Sequence, residues 1–266
     1  MHRSLLKRQK RKTKVANPDP MLEYPPVLQH RDPWHSPDHL DPPSQEEPKI
    51  RTRGFSTLPY PSSVFKREDI EVFDGRWVYV ACHQSSGKCP HCMNHVFHIG
   101  CLVISVSGVL STEIPPSDKP PRSSIGVFFG RGNNKNLAVK LDGDKHTAQT
   151  AELKACLEAL TRIFVMHTKW QIEPPTKHEP CYPLHTVVIK SESEYLVKGA
   201  TEWLSKWKEN GWKKSNGQPV ANVELWRVID AVLKQLEYDI NVNFWHVPRE
   251  LNLIASTMAK GVIDEF

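Results

Sequence analysis

The 266-residue sequence has no long run of apolar residues. No stretch approaches the ~20 apolar residues that a membrane-spanning helix needs. Residues 1–20 also contain no apolar segment of the length found in a secretory signal. We therefore expect a soluble intracellular protein with no membrane partner, and we expect its six cysteines to be reduced thiols rather than a disulfide framework.

Acidic residues are absent from the start of the chain, where none occurs before Asp19. The opening segment, MHRSLLKRQKRKTKVA, is instead strongly basic, which favours a nuclear-import or nucleic-acid-binding arm. A mitochondrial presequence is an alternative, because such segments are also basic and acid-poor, and a solvated tail without a receptor is another. Lysine outnumbers arginine and the only apolar pair is Leu5-Leu6, so the sequence favours the nucleus.

Apolar residues are few, at 39%, while proline is frequent, with 22 residues. Both differences from an average globular composition come mostly from the first sixty residues. A stretch so rich in proline sustains neither a helix nor a strand ladder, so we interpret residues 1–63 as a disordered basic arm and linker. Ordered structure is expected from Val64 onward, and the net charge of +5 mildly favours a polyanionic partner.

The remainder of the chain alternates between strand and helix patterns. A lead-in strand and a Cys/His-rich element occupy residues 64–100, and a mixed α/β domain with helices on the faces of its sheet occupies residues 101–266. The predicted strands are residues 76–82, 101–110, 125–130, 137–141, 186–189 and 241–247, and the predicted helices are residues 148–166, 194–207, 223–236 and 252–260.

Four strings in the second half of the chain resemble the type 1 ribonuclease H family, whose order of elements is the same. Each string is weak alone, but the four occur in the family's order and between the right elements. They are TAQTAEL at 147–153, SESEY at 191–195, the spaced tryptophans with the P-V-x-N-x-x-L-W string at 203–226, and WHVPRE-x-N-x-x-A-S-x-x-A at 245–259.

This resemblance implies a ribonuclease H-like five-stranded mixed sheet and a two-metal hydrolysis of the RNA strand in RNA–DNA hybrids. In that chemistry one Mg²⁺ (or Mn²⁺) helps to generate the attacking hydroxide and a second stabilises the leaving oxygen. Mg²⁺ prefers oxygen ligands, and the family holds its ions with four carboxylates. They come from the first strand, the first helix, the end of the fourth strand and the last helix.

Only two of these four carboxylates have counterparts here. Glu152 matches the helix position, and Glu192 matches the fourth-strand aspartate with a side chain one methylene longer. Ser107 and Ser256 stand at the other two positions. Because a half-charged site should bind a pair of Mg²⁺ ions weakly, we expect cleavage to be weak or lost.

Two alternatives concern other acidic residues. Glu250, Asp142 or Asp144 could complete the site, although solvated loop acids are the simpler interpretation. Asp74-Gly75 also resembles the family's first-strand aspartate-glycine pair, which would move the first strand toward the N-terminus.

The basic segment Lys198–Lys214 is the predicted nucleic-acid-binding surface. In the family, this region contacts the DNA strand, and lysines there supply salt-sensitive affinity for phosphates. An ordinary solvated helix is the alternative, and Trp203 and Trp207 are expected to pack inward. Thr147 and Gln149, with Asn222 as a weaker candidate, match positions that read 2′-hydroxyls in the minor groove. The lysines are Lys198, Lys206, Lys208, Lys213 and Lys214.

A Cys/His-rich segment precedes the domain and offers soft and borderline ligands at zinc spacing. Unligated buried thiols and redox activity are the alternatives. The candidate ligands of this structural zinc are Cys82, Cys89, Cys92, His95 and His98.

Three functions follow as hypotheses. The favoured one is a monomeric ribonuclease H-like protein that binds an RNA–DNA hybrid or structured RNA and cleaves it weakly or not at all. The second is an active Mg²⁺-dependent ribonuclease H. The third is a protein-interaction scaffold with an incidental lysine face.

Overall fold

The structure is a computed structural model that describes residues 52–63, 65–83, 96–111, 122–143, 146–173 and 183–264. These residues lie in one unit, Ile50–Phe266. The basic arm and most of the proline-rich linker lie outside the described residues, as do Cys89, Cys92, His95 and Asp144.

One mixed β-sheet contains the strands of the described part of the chain. Its five-stranded portion has the order β5-β4-β3-β6-β7, in which β3 pairs antiparallel with β4 and parallel with β6. This confirms the predicted ribonuclease H-like mixed sheet. The strands are β1 (Glu71–Asp74), β2 (Trp77–Ala81), β3 (Phe97–Leu110), β4 (Ser123–Phe128), β5 (Leu137–Lys140), β6 (Thr186–Ser191) and β7 (Asn241–His246).

Beyond these five strands, the described part of the sheet contains the predicted lead-in strand, which is β2, and the short strand β1. β2 pairs with the first part of β3 through Tyr79 and Leu102, whereas β4 pairs with the second part. The amide of Val78 also donates to the carbonyl of Phe129 over 3.1 Å, so β2 continues the line of β4 along β3. The short strand β1 was not predicted, because four residues with an acidic residue at each end carry no clear alternation.

Helices cover the sheet, and none in the described residues is long and apolar enough to cross a bilayer. Thr147 caps the first helix by accepting a hydrogen bond from the amide of Thr150. Residues 194–207 are helical, as predicted, but a π-helical turn, Gly199–Trp203, divides the stretch into two α-helical segments. The helices are α1 (Ala148–Ile172), α2 (Glu194–Lys198), α3 (Leu204–Glu209), α4 (Val223–Leu236) and α5 (Leu253–Asp264).

The packed region begins earlier than the expected boundary at Val64. Gly54 forms a parallel bridge with Phe244 of β7, and the Phe55 ring lies 5.1 Å from the Trp245 ring. Arg53 donates two hydrogen bonds to Glu237, at 2.5 and 2.7 Å. The sequence did not predict this contact, because the segment is rich in proline and backbone pairing to an edge strand requires no apolar periodicity.

A buried ion pair lies on the sheet face opposite α1. Lys190 of β6 is 4% exposed, and its Nζ lies 2.5 Å from Oε1 of Glu71 on β1. Nζ also donates to the carbonyl of Leu251 over 2.8 Å. This lysine therefore joins the β1–β2 hairpin to the turn that precedes α5.

Candidate active site

The site begins where α1 crosses β3. A Cβ atom on Gly108 would lie 2.2 Å from the backbone nitrogen of Glu152, so only glycine permits this approach. The crossing places the Glu152 side chain next to the second half of β3, where Ser107 is fully buried. Asp74, the alternative first-strand acid, lies instead at the end of β1 opposite Trp77.

Glu152 is only 7% exposed, and this burial is the largest cause of the shift in its pKa. The pKa of Glu152 is raised to about 8, chiefly by burial and also by the negative charge of Glu192. Hydrogen bonds from the Gly108 amide and the Ser191 hydroxyl oppose this rise. A carboxyl with such a pKa carries its proton at neutral pH, which reduces the negative charge of the site.

Glu192 follows β6 directly and faces Ser107. The Ser107 hydroxyl donates a long hydrogen bond of 3.4 Å to Oε1 of Glu192. Oε2 of Glu192 and Oε2 of Glu152 are buried and accept no hydrogen bond from the described residues. Nε of Arg249 lies 4.0 Å from Oε2 of Glu192, a distance for an ion pair rather than a hydrogen bond.

Ser256 reaches this region on α5, which packs against β3 and β4. A Cβ atom on Gly126 of β4 would lie 2.1 Å from the carbonyl oxygen of Ala255. Asn252 donates through Nδ2 to the carbonyl of Val106 over 2.9 Å, one residue before Ser107 on β3. Ser256 itself is 1% exposed. The fold therefore places serine hydroxyls on two of the elements from which the family's carboxylates come.

These residues do not fit a site for two Mg²⁺ ions. Within the described ranges, no three His, Cys, Asp or Glu side chains lie close enough together to hold a metal ion. Glu250 and Asp142, the described candidates for compensation, are exposed. Mg²⁺ needs several hard oxygen ligands, and Glu152 and Glu192 alone provide two carboxylates.

The five lysines predicted to bind nucleic acid divide into two groups. Lys208 Nζ lies 3.0 Å from Oδ1 of Asp230, which is 4% exposed and also pairs with Lys234. Lys198 pairs with Glu194 one turn earlier. The other three, which form no ion pair with a described residue, are Lys206, Lys213 and Lys214.

The predicted minor-groove residues meet at two helix starts. Asn222 has a left-handed backbone, with φ of 55°, and precedes α4. Its Oδ1 accepts a hydrogen bond of 3.2 Å from Thr150, whose amide is bonded to Thr147. Thr147 and Gln149 are exposed beside it. The structure thus brings Asn222 next to residues that are more than seventy positions away in sequence.

An aromatic cluster supports the basic segment from inside, as expected for Trp203 and Trp207. The Trp207 ring lies 5.7 Å from the Trp203 ring and 5.4 Å from the Trp226 ring. The indole of Trp226 donates to the hydroxyl of Tyr195 over 2.9 Å. These side chains position α2 and α3 against α4.

The zinc hypothesis gains no support. Cys82 is buried at the end of β2, and the rings of His83 and His98 lie 5.9 Å apart. These residues form no metal-ligand cluster with other described side chains. Since Cys89, Cys92 and His95 lie outside the described residues, the structural zinc stays a prediction.

Arg249 and Asn252 were not recognised as site residues from the sequence. Both belong to the family-like string at residues 245–259. Their closeness in sequence to Ser256, the last-helix position, was the signal that could have identified them. Their contacts with Glu192 and Val106 span more than fifty residues, which periodicity does not reveal.

Comparison with known proteins identifies the family. The RNase H family model matches residues 116–249, just over half of the chain. The chain belongs to the ribonuclease H family. This family binds and hydrolyses nucleic acid and is generally Mg²⁺-dependent. The match begins after β3, so the placement of Ser107 in this ribonuclease H-like domain depends on the structure.

Individual relatives agree with this assignment. The chain is 30% identical over 142 residues to the ribonuclease H of Actinobacillus pleuropneumoniae serotype 5b (strain L20), covering 53% of this chain and 80% of the bacterial protein. It is 28% identical over 145 residues to ribonuclease H1 of Homo sapiens, covering 54% of this chain and 43% of the human protein. The chain therefore spans less than half of that human relative.

Among solved structures, the chain is similar to the PFV RNase H domain. The two share 21% identity with a TM-score of 0.42, covering 60% of this chain and 92% of the viral domain.

Proposed function

We propose that this chain binds nucleic acid, preferentially an RNA–DNA hybrid, and that its acidic site cleaves the RNA weakly or not at all. The main support is the direct pairing of Ser107 with Glu192, at the place where the family's carboxylates hold metal ions. A serine hydroxyl carries no charge, so it offsets little of the positive charge of a bound Mg²⁺.

The charge of the site supports weak metal binding. The pKa of Glu152 is raised to about 8, chiefly by burial, so a metal ion would have to displace its proton at neutral pH. Glu192 shares its carboxylate between Ser107 and the charge of Arg249. In the two-metal mechanism the metal ions would stabilise the attacking and the leaving oxygen, and anionic side chains would be needed to hold those ions.

The binding surface supports the other half of the proposal. Lys206, Lys213 and Lys214 belong to the same segment as the tryptophans and form no ion pair with a described residue. Thr147, Gln149 and Asn222 lie together at the starts of α1 and α4. Lysines contact phosphates without regard to sequence, and small polar side chains reach 2′-hydroxyls.

An active enzyme is the second candidate, favoured by membership of a hydrolytic family. A cleavage assay with purified full-length protein, a labelled RNA–DNA hybrid and Mg²⁺ or Mn²⁺ separates the two. We expect binding of the hybrid with little cleavage by the wild type. Rapid cleavage that is lost in Glu152→Gln would instead establish the active enzyme.

Restoring the carboxylates sharpens this test. We expect the double variant Ser107→Asp, Ser256→Asp to gain Mg²⁺-dependent cleavage, because it places acidic side chains at all four positions where the family has carboxylates. The matched control is Ser107→Asn, Ser256→Asn, which adds the same volume without charge and should gain nothing. If no salt-dependent binding to hybrid, duplex DNA or RNA is found, the protein-interaction scaffold becomes the better explanation.

A further inference from the structure

A guanidinium group lies beside the acidic site. Arg249 Nε is 4.0 Å from Oε2 of Glu192, and this oxygen is buried without a hydrogen-bond donor among the described residues. Oε2 of Glu152 is also buried without a donor from that part of the chain, and Glu152 senses the charge of Glu192. Within the described part of the chain, Arg249 is the cation that pairs with Glu192.

The position of Arg249 is held by several bonds. It begins a 3₁₀ turn, Arg249–Leu251, in which its carbonyl accepts from the Asn252 amide over 2.9 Å. The carbonyl of Leu251 accepts from Lys190, which is buried and paired with Glu71. Asn252 is tied to β3 through Val106. The turn is therefore anchored to two strands, so Arg249 stays near Glu192.

The guanidinium is placed to contact a second anion. The Arg249 side chain is 55% exposed, whereas that of Glu192 is 20% exposed, so the arginine forms the solvent side of the pair. Its Nη atoms form no bond to a described residue. Arginine has five N–H donors in a planar fork that suits phosphate oxygens, and one pair partner leaves most of them available.

We propose that Arg249 contacts a backbone phosphate of the bound nucleic acid at this site, where the family uses metal ions, so that binding needs no divalent cation. This inference rests on the proposed function and specifies how the site would hold its ligand. The side chain supplies permanent positive charge next to Glu192, which offsets the repulsion between a phosphate and the carboxylate.

The test compares hybrid affinity in excess EDTA and in millimolar Mg²⁺, by fluorescence anisotropy of full-length protein. We expect wild-type affinity to agree within about twofold between the two buffers. Arg249→Ala should weaken binding by about tenfold in EDTA, that is by ~1.4 kcal/mol, because a hydrogen bond between charged groups is lost. The hybrid affinity of Arg249→Lys should lie between those of the wild type and Arg249→Ala, because lysine keeps the charge and loses the planar fork.

The matched control is Arg162→Ala on α1. Arg162 also pairs with a glutamate, Glu158, at 3.7 Å, and its removal changes the net charge equally. This variant should stay within about twofold of the wild type. Arg249→Ala should also lower the slope of log K against log salt by about 1, as expected when the protein neutralises one phosphate fewer. Thermal unfolding of each variant checks that the fold is intact.

Glu192→Gln separates the two ways of holding a phosphate. If Arg249 holds it, Glu192→Gln retains or improves affinity in EDTA. If metal ions hold it, the wild type loses affinity in EDTA and Glu192→Gln abolishes the Mg²⁺-dependent part, which overturns the inference. Equal affinities of Arg249→Ala and Arg162→Ala also overturn it. Absence of hybrid binding by the wild type in both buffers would instead refute the proposed function itself.

Discussion

Gly108 of β3 packs directly against the backbone of Glu152 on α1, so closely that a Cβ atom would lie 2.2 Å from the Glu152 nitrogen. This approach sets the position of the buried carboxyl relative to Ser107 and Glu192. The Gly108 amide also donates to the Glu152 carboxylate, so one residue determines both its location and part of its electrostatics.

Gly108→Ala should destabilise the fold and displace Glu152. The new methyl group meets backbone atoms of Ala151 and Glu152, which do not move as a flexible side chain would. We expect a decrease in the free energy of unfolding on the order of 3 kcal/mol, at the upper end of overpacking effects, measured by urea unfolding.

Gly261→Ala is the matched control, because Gly261 lies on α5 with no atom within 4 Å of the added Cβ. Alanine is favoured over glycine in a helix, so this variant should gain up to ~1 kcal/mol. Equal stability of the two variants would contradict the close packing at Gly108.

The raised pKa of Glu152 predicts a pH-dependent stability. The folded carboxyl, with a pKa of about 8, holds a proton that the unfolded chain releases above its ordinary value of 4.5. Unfolding thus releases a proton between these values, so the stability of the wild type falls as pH rises through this range. The fall is at most about 5 kcal/mol, because one pKa unit corresponds to ~1.4 kcal/mol.

Urea unfolding of the wild type and Glu152→Gln at pH 5 and pH 9 measures this effect. Other titrating groups, including Glu71 and Lys190, are common to both proteins and cancel in the comparison. Glu152→Gln should be the more stable protein at pH 9, with a smaller difference at pH 5. A difference that is independent of pH would show that Glu152 titrates normally.

The lysines that lack an internal acidic partner should carry the salt-dependent affinity. We expect the triple variant Lys206→Ala, Lys213→Ala, Lys214→Ala to weaken hybrid and duplex binding alike. The slope of log K against log salt should fall by about 0.9 for each duplex phosphate that the variant no longer neutralises. A titration in increasing KCl measures both quantities.

Lys208→Ala is the informative comparison, since Lys208 binds the buried Asp230. This variant should lower the melting temperature, because Asp230 keeps only Lys234, and should leave the salt slope nearly unchanged. A larger decrease of the slope than in Lys206→Ala would assign Lys208 to the binding surface after all.

The segment before β1 should contribute to stability. Phe55 packs on Trp245 and its amide pairs with Phe244, so Phe55→Ala should cost ~1–3 kcal/mol, less than for a fully buried ring. Leu58→Ala is the control, because Leu58 is 91% exposed and its change should stay within ~0.5 kcal/mol. Equal unfolding midpoints for the two would place the start of the folded region nearer to Val64.

Local patterns in the sequence were sufficient for the central elements. The apolar periodicity of α4 matches residues 223–236 at both ends, and the run TVVI marks β6. The spacing of Glu152 and Glu192 within family-like strings also placed both carboxyls at one site. These features depend on residues near one another in the chain, which is why periodicity and motif order reveal them.

Only the tertiary structure decided the contacts that join distant segments. The pairing of Arg53 with Glu237 spans 184 positions, and the hydrogen bond from Ser107 to Glu192 spans 85. The ion pair of Lys208 with Asp230 and the proximity of Arg249 to Glu192 likewise depend on which elements pack together. The sequence by itself determined that serine stands at positions 107 and 256 and glutamate at positions 152 and 192. The burial that raises the pKa of Glu152 arises from packing, and so does the approach of Arg249 to Glu192. The charge of a side chain depends on its solvation and on its neighbours, which the order of residues in the chain does not show.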